Sequence, residues 1–352
     1  MTNKALSVLN EEHFSVEGKV RKPTWTDLSP GLPVQRLVEN EGRDKFWREL
    51  SLNGALYSLD FGEGPSNMFR LSDPQGDSFV KLYSPESARI GYQSEILANW
   101  VAERSELVSP SKSGFPRYLK NGSLAGVRSY CNGSRVPVTA VAMRSLGRSI
   151  AELHSLLASH PDRDAWLKNT DRRLDIVEMT RDDIVNNELK AGPDPDLLAE
   201  LAATPKLFFR QSEASRIPLH GDLNPGNLMM ESGRAQIFDF EDVEHSVLDS
   251  CFDLALVIER IIMMCGDMSD RQRVEISHAF LVGYRQSGGV LSVPKDLLLA
   301  DIPRVLSLRS LCLLAFAEHN DISLPEAEWR KFFFFFKKAG EMRALWTDIF
   351  SV

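Results

Sequence analysis

The stretch LHGDLNPGNLMMESGRAQIFDFED, residues 219–242, decides the interpretation of this chain. It places His220, Asp222 and Asn227 in the spacing H-x-D-x-x-x-x-N, followed by two short apolar runs and then Asp239. Phosphoryl transfer from a nucleotide requires a carboxylate near the acceptor hydroxyl and oxygen ligands for Mg²⁺ beside the phosphates. Asp222 can be that carboxylate, while Asn227 and Asp239 can be the ligands. The stretch therefore indicates Mg²⁺-dependent phosphoryl transfer.

The spacing within this stretch has a mechanical reason. Pro225 and Gly226 turn the chain so that Asn227 can point its amide oxygen at a metal, and Asp239 ends the second strand of a predicted hairpin. Two more acidic residues are further candidate ligands, Glu241 and Asp242. We expect His220 to hold the loop by hydrogen bonds rather than to act as an acid or base.

Composition excludes several classes of protein. The chain has 352 residues, 43% hydrophobic and 26% charged, which is ordinary for a globular protein and long enough for two lobes. A net charge of −8 argues against a nucleic-acid partner. No apolar stretch is long enough to span a membrane, and the N-terminus lacks the apolar core of a signal peptide, so we predict a cytoplasmic protein without membrane contact. The cysteines are scattered, which indicates reduced thiols.

The first part of the chain divides into an extension and a strand-rich lobe. Residues 1–54 are polar and turn-rich, and residues 55–133 predict a lobe with a five-stranded antiparallel sheet and one helix. The predicted strands cover 56–61, 68–71, 78–83, 115–119 and 124–130. The predicted helix, 88–104, rests on apolar residues at helical spacing, namely Ile90, Ile96, Leu97 and Trp100.

Residues 134–352 predict a mostly helical second lobe that contains the 219–242 loops. The predicted helices cover 137–159, 171–190, 195–214, 250–266, 269–287, 295–319 and 325–349. Phe332–Phe336 is a run of consecutive phenylalanines whose role stays open between packing in the core or between lobes and a dimer or partner surface. The sequence thus predicts an α+β fold, with a homodimer as one option that it does not decide.

A family resemblance follows from these residues. The segment 219–242 resembles the catalytic and metal-binding loops of the aminoglycoside phosphotransferase/choline kinase family, small-molecule kinases with a two-lobed protein-kinase-like fold. The helix LGRSIAELHSL (146–156) and Asp253-Leu254-Ala255 are similar to two further family motifs. The resemblance covers residues 55–320 and implies that Asp222 is the catalytic base, that Asn227 and Asp239 bind Mg²⁺, and that Asp253 fixes the loop backbone. Ser246-Val247-Leu248 departs from the Gly-x-Pro that many members carry there, which leaves the subfamily open.

The strand-rich lobe supplies candidate nucleotide ligands. Lys81 lies in the middle of the strand FVKLY, and a strand Lys paired to a helix Glu orients the phosphates in kinase-like folds. Glu95 is the expected partner, with Glu86 and Glu103 as alternatives. The turn before this strand would cover the phosphates through Gly64, Ser66 and Asn67. By analogy of fold, the adenine would meet the backbone of the connector near Tyr130 and Cys131.

We therefore expect a kinase that moves the γ-phosphate of ATP or GTP to a hydroxyl of a small molecule. Acidic side chains near the acceptor would suit an amine such as an aminoglycoside, choline or ethanolamine. The candidates are Glu241, Asp242, Glu244, Asp249, Glu318 and Asp321. A catalytically silent module that binds nucleotide or a small molecule is the alternative. A protein kinase is disfavoured because no APE-like element follows Asp239.

Overall fold

The computed structural model describes residues 15–16, 19–20, 34–37, 49–50, 54–60, 67–186, 199, 215–294, 297–322, 324 and 326–351. The chain forms two compact units. The helical unit comprises Met1–Ser29, Val138–Asn224 and Asp242–Val352, and the sheet unit comprises Pro30–Pro137 and Pro225–Glu241. The chain therefore enters the sheet unit twice, the second time to form a hairpin.

Strands predominate before residue 130 of the described chain, and helices predominate after it. The strands are β1 (Ser15–Val16), β2 (Lys19–Val20), β3 (Val34–Leu37), β4 (Ala55–Asp60), β5 (Met68–Ser72), β6 (Ser78–Tyr83), β7 (Arg117–Tyr118), β8 (Leu124–Ser129), β9 (Ile217–Pro218), β10 (Leu228–Glu231), β11 (Arg234–Ile237) and β12 (Val247–Leu248). The helices are α1 (Ala88–Ala102), α2 (Ala140–Ala158), α3 (Arg163–Val185), α4 (Cys251–Val257), α5 (Asp270–Gln286), α6 (Ile302–His319), α7 (Glu326–Glu341) and α8 (Arg343–Phe350). A π-helical segment, Ile258–Met263, continues α4.

The sheet unit is built on one antiparallel sheet with the strand order β3-β4-β5-β6-β8-β7. All five predicted strands are present, and β3 adds a sixth at the edge from within the predicted extension of residues 1–54. One face of the sheet packs a core cluster of Leu56, Leu71, Val80 and Val127. The alternation of β6 turns Lys81 and Tyr83 to the opposite face, the face that Glu95 of α1 contacts.

Of the apolar residues that indicate helix α1, Leu97 is buried, but the two isoleucines are exposed. Ile90 and Ile96 are 46% and 44% exposed, whereas Gly91 and Glu95 are buried. A Cβ on Gly91 would collide with the ring of Tyr83, so only a glycine lets the helix approach this closely. The close approach of small residues, and not the isoleucines, therefore sets the buried face.

The helical unit is organised around the pair α2 and α5. Gly147 on α2 lies against the backbone of Phe280, and Gly283 on α5 lies against the backbone of Arg144, so each helix offers the other a position without a side chain. Thr139 caps α2, and Ser269 with Gln272 forms a capping box at the start of α5. These two helices form the centre of the unit.

Several predicted helices differ in their bounds. Helix α3 begins at Arg163, eight residues before the predicted start at residue 171. The prediction missed this start because the first turns of the helix are mostly polar. The predicted helix 325–349 is two helices that break at Met342. The predicted helix 195–214 lies outside the described residues, apart from residue 199. Phe335 and Phe336 are buried in the helical unit, and the other three phenylalanines of the run are half-buried.

Candidate active site

The hairpin β10–β11 brings the two predicted metal ligands to one end. Ser232 and Gly233 both have positive φ, 52° and 81°, as a tight hairpin turn of two residues requires. At the opposite, open end, Leu228 pairs with Ile237, and the N–H of Phe238 donates to the carbonyl of Asn227 at 3.0 Å. Asn227 and Asp239 therefore flank the same open end of the hairpin.

Asp239 and Glu241 together bind the ammonium of Lys81. The Nζ atom lies 3.2 Å from Asp239 Oδ1 and 2.8 Å from Glu241 Oε1. Burial opposes the charge of Lys81, but these carboxylates outweigh it and raise the pKa of the ammonium. Asp239 adopts a left-handed backbone with φ of 68°, which directs its side chain out of the strand pattern. Lys81 is consequently a fixed cation beside two carboxylates.

Lys81 and Glu95 do not form the predicted ion pair in this structure. Arg128 binds Glu95 Oε2 through Nε at 3.0 Å and Nη2 at 2.8 Å, and the hydroxyl of Tyr83 donates to Glu95 Oε1 at 3.0 Å. The ammonium of Lys81 lies 4.6 Å from the centre of the Tyr83 ring. Tyr83 thus stands between the lysine and the glutamate. The guanidinium of Arg128, and not Lys81, holds the carboxylate of Glu95.

The register of β6 and β8 explains why these groups meet. Lys81 pairs with Gly126, and Arg128 lies two residues further along the same face of β8. A Cβ on Gly126 would lie 2.6 Å from the carboxyl carbon of Glu95, so this glycine makes the space that the carboxylate occupies. Arg128 and Tyr83 are the functional neighbours that sequence reasoning missed. Their period-two spacing from Gly126 and Lys81 was the available signal.

The structure describes only three of the other predicted nucleotide ligands, namely Asn67, Tyr130 and Cys131. Gly64 and Ser66 lie outside the described residues, and the Asn67 amide donates to the carbonyl of Leu82 at 3.2 Å. In the connector, the N–H of Tyr130 donates to the carbonyl of Asp77 at 3.0 Å. The Cys131 N–H has no hydrogen-bond partner among the described residues, whereas its Sγ accepts from the N–H of Gly133 at 3.3 Å.

The loop that carries Asp222 belongs to the helical unit and is fixed by Asp253. The Asp253 carboxylate accepts from the backbone N–H of His220 at 2.8 Å and of Gly221 at 3.0 Å. It also contacts the ring of His154 at 3.0 Å, and the other ring nitrogen of His154 contacts the hydroxyl of Tyr284 at 2.9 Å. A carboxylate at the start of α4 therefore holds the backbone of the loop.

Gly221 is the residue that this loop geometry requires. Its φ is 83°, and a Cβ there would collide with the side chain of Ser246. The following residue, Asp222, accepts a hydrogen bond from Nδ2 of Asn224 at 2.8 Å. Burial, and then the neighbouring carboxylate of Asp242, raise the pKa of Asp222. A carboxylate of raised pKa is the better proton acceptor.

Asp242 has a strong partner of its own. Nη1 of Arg173 on α3 lies 2.7 Å from Asp242 Oδ1. Burial favours the neutral acid, but Arg173 and Arg309 outweigh it and lower the pKa of Asp242. Asp242 is therefore an ion-paired carboxylate of the helical unit, whereas Asp239 belongs to the sheet unit.

The other acidic candidates for an amine site are engaged or lie elsewhere. Glu241 binds Lys81, and Glu318 accepts from the Trp329 indole N–H at 2.8 Å. Asp249 is buried near Cys251, and burial and then the charge of Asp249 raise the pKa of that thiol. Asp321 is exposed in a turn with φ of 60°.

The described residues contain neither a cluster of acidic, His and Cys side chains that could hold a metal ion nor a membrane span. No group of three or more His, Cys, Asp and Glu side chains in that part of the chain could hold a metal ion. None of the helices in the same ranges is both long enough and apolar enough to cross a membrane.

Comparison with solved structures identifies the fold. The chain matches a putative aminoglycoside phosphotransferase from Ralstonia eutropha JMP134 with a TM-score of 0.52 and 15% identity, over 89% of this chain and 98% of that one. It matches a choline kinase from Streptococcus pneumoniae with a TM-score of 0.50 and 15% identity, over 85% and 98%. An AMP-bound spectinomycin phosphotransferase matches with a TM-score of 0.51 and 12% identity, over 81% and 90%. The fold is that of the protein-kinase-like small-molecule kinases.

Comparison with family models is more specific. The model described as the phosphotransferase enzyme family matches residues 60–289, and the chain belongs to that family. No curated protein sequence matches the chain. The family resemblance and the α+β fold class inferred from sequence are confirmed, and with them a kinase-type phosphotransferase.

Proposed function

We propose that the protein transfers the γ-phosphoryl group of ATP or GTP to a hydroxyl of a small molecule, with Asp222 as the proton acceptor. The observation that carries this proposal is the grouping of Lys81, Asp239 and Glu241 in the sheet unit, at the hairpin end that also carries Asn227. A buried cation beside oxygen ligands is what the phosphates of a nucleotide require.

The residues present fit a magnesium ion. Mg²⁺ binds through one or two protein oxygens and completes its shell with phosphate oxygens and water. The amide oxygen of Asn227 and the carboxylate of Asp239 are such oxygens, and both flank the open end of one hairpin. These two residues would hold Mg²⁺, with Glu241 as a neighbouring carboxylate. When bound, the ion neutralises charge on the phosphates.

The chain's own side chains divide the remaining work. Lys81 would contact the α- and β-phosphates, and the unpartnered N–H of Cys131 would bind the adenine edge. The acceptor oxygen forms a bond to the γ-phosphorus while the bond to the β,γ-bridging oxygen breaks, and the nucleoside diphosphate leaves. The hydroxyl proton passes to Asp222, whose raised pKa suits that role. Positioning and charge neutralisation supply most of the rate.

The test is Asp222→Asn, measured as nucleoside diphosphate release with a panel of alcohols and as Mg²⁺-ATP binding by calorimetry. We expect unchanged nucleotide affinity and a turnover lower by about 10²- to 10⁴-fold. Asp267→Asn, a change at an exposed turn, is the matched control and should keep turnover. Turnover that survives in Asp222→Asn would contradict the role of Asp222. Nucleotide binding without turnover on any acceptor, in the unaltered protein, would favour the silent binding module.

A further inference from the structure

Basic side chains act on Asp222 within the helical unit. Lys331 and Arg260 both interact electrostatically with its carboxylate. Arg260 is buried, and its guanidinium carbon lies 3.3 Å from the centre of the Phe335 ring. The ammonium of Lys331 lies 4.7 Å from the centre of the Phe332 ring. The phenylalanine run of α7 thus supports two cations near the proposed proton acceptor.

Several carboxylates near these cations have a basic partner. Glu259 pairs with Arg260 at 3.0 Å, and Glu328 pairs with Lys331 at 3.0 Å. Asp242 pairs with Arg173, and Asp253 holds the loop and His154, as described above. An amine that took Asp242 or Glu328 from its basic partner would leave a partly buried cation alone, which is costly.

Arg309 is the cation that lacks such a partner. It lies on α6, is 8% exposed, and its buried Nε has no hydrogen-bond partner. Within the described ranges of the chain, none of its nitrogens forms a hydrogen bond or an ion pair. Burial, and then the positive charge of Arg173, lower the pKa of Arg309 to about 10, against the opposing fields of Asp242 and Asp253. A buried guanidinium without a hydrogen bond is an unsatisfied site for an anion.

We propose that the acceptor alcohol carries an anionic oxygen group, a carboxylate or a phosphate, which binds to Arg309 close to Arg173 and Asp242. This inference rests on the proposed function, because it specifies the chemistry of the molecule whose hydroxyl Asp222 serves. A carboxylate or phosphate matches the fork of a guanidinium and would satisfy the buried Nε, which has no hydrogen-bond partner among the described residues. The negative end would anchor the molecule in the helical unit while its hydroxyl remained free to react.

The experiment compares matched alcohols in a coupled assay of ADP release from Mg²⁺-ATP. The probes are glycerate and glycerol 3-phosphate as the carboxylate and phosphate arms, homoserine against homoserine amide, and glycerol as the neutral counterpart. Choline, ethanolamine and kanamycin are the cationic set. Calorimetric binding of each probe in the presence of Mg²⁺-ADP accompanies the kinetics, so that an alcohol that binds without reacting is also detected.

The variants are Arg309→Gln and Arg309→Lys, with Arg304→Gln on the same helix as the matched control. We expect Arg309→Gln to raise KM or Kd for the anionic probe by about tenfold to a hundredfold. The KM for ATP should not change, and Arg309→Lys should restore part of the affinity. Arg304→Gln should leave both constants unchanged. Circular dichroism and the thermal midpoint establish that each variant is folded.

The outcomes separate this inference from the proposed function. Preference for an anionic alcohol, lost in Arg309→Gln, supports it, and the better arm identifies carboxylate or phosphate. Turnover with an amine in preference to its anionic counterparts overturns it while leaving the kinase activity intact. An acceptor constant unaffected by Arg309→Gln overturns it as well. So does the failure of every anionic probe to bind and to react, even if Mg²⁺-ATP binds normally.

Discussion

At the scale of the residue, Gly126 shows how a missing side chain positions a buried charge. The space above it holds the carboxylate of Glu95, which Arg128 and Tyr83 then bind. We expect Gly126→Ala to lower the free energy of unfolding by about 1–3 kcal/mol, because the added methyl displaces that carboxylate. Chemical denaturation measures this. The same change in a Glu95→Ala background should cost much less, and an equal cost in both backgrounds would contradict the explanation.

A second residue predicts a dependence on pH. Burial raises the pKa of Glu259 to about 7, and Arg260 offsets only part of this effect. The folded state then holds a proton that the unfolded state releases near pH 4.5, so the stability from this group is complete at low pH and is lost as the pH rises from about 4.5 to 7. The loss amounts to about 3 kcal/mol.

The measurement is the free energy of unfolding of the unaltered protein and of Glu259→Gln between pH 4.5 and 8. The difference in unfolding free energy, variant minus unaltered protein, should increase by about 3 kcal/mol over this range, because glutamine cannot ionise. Glu326→Gln, at an exposed position on α7, is the control and should give a constant difference. A constant difference for Glu259→Gln would show that Glu259 titrates normally.

At the scale of the element, the crossing of α2 and α5 depends on two glycines. A Cβ on Gly147 or Gly283 would run into the backbone of the other helix, which cannot move aside as a side chain can. We expect Gly147→Ala and Gly283→Ala each to lower the free energy of unfolding by about 1–3 kcal/mol, even though alanine is the better helix former.

Gly340 on α7 provides the matched control for this prediction. A Cβ there would meet nothing within 4 Å. Gly340→Ala should therefore raise the free energy of unfolding by about 0.5–1 kcal/mol. Thermal and denaturant unfolding of the three variants decides the matter. A higher free energy of unfolding for Gly147→Ala or Gly283→Ala would show that the two helices can move apart without loss of stability.

The elements also show where sequence patterns succeed. Period-two alternation predicted β6 correctly at residues 78–83, because each face of that strand has a consistent environment. The burial of Gly91 on α1 could not be predicted, since its approach to Tyr83 depends on a contact that spacing cannot reveal. Edge strand β3 was missed because Pro30, Gly31 and Pro33 directly precede it and indicate turns.

At the scale of the whole molecule, the thiols report on how well the chain is packed. Cys131, Cys251 and Cys312 are buried, Cys265 is half-buried, and all four are free. Burial raises the pKa of Cys131 to about 11 and that of Cys312 to about 12, so both stay protonated and unreactive near neutral pH. We expect an aromatic disulfide reagent at pH 8 to modify about one thiol per native chain and four after denaturation.

Cys265→Ser is the control for this titration. In the native state, thiol modification of this variant should fall to nearly zero. In a separate measurement, a reductant should leave the thermal midpoint of the unaltered protein unchanged. Rapid reaction of more than one thiol in the native state would mean that the buried cysteines are accessible.

The reaction class could be predicted from sequence far better than the acceptor. The order of Asp222, Asn227 and Asp239 lies within one short stretch, so spacing alone brings these groups into consideration. The pairing of Asp242 with Arg173 joins residues 69 positions apart, and the isolation of Arg309 depends on which neighbours fail to reach it. Charge was the only guide to the acceptor that the sequence offered, because a sequence does not show which carboxylates are already paired.

The division of the chain between the two units has a consequence for inheritance. Asp222 belongs to the helical unit, whereas Pro225–Glu241, with Asn227 and Asp239, belongs to the sheet unit and bonds to it through Leu107 and Ser134. Recombination with one breakpoint near residue 137 would exchange Lys81 but leave its carboxylates behind. A chimera that inherits the complete sheet unit from a relative, and with it the proposed nucleotide ligands, needs the 17-residue segment Pro225–Glu241 as well. Evolution can therefore exchange the two units separately only by exchanging both segments of the sheet unit, although Asn224 and Pro225 are neighbours in the gene.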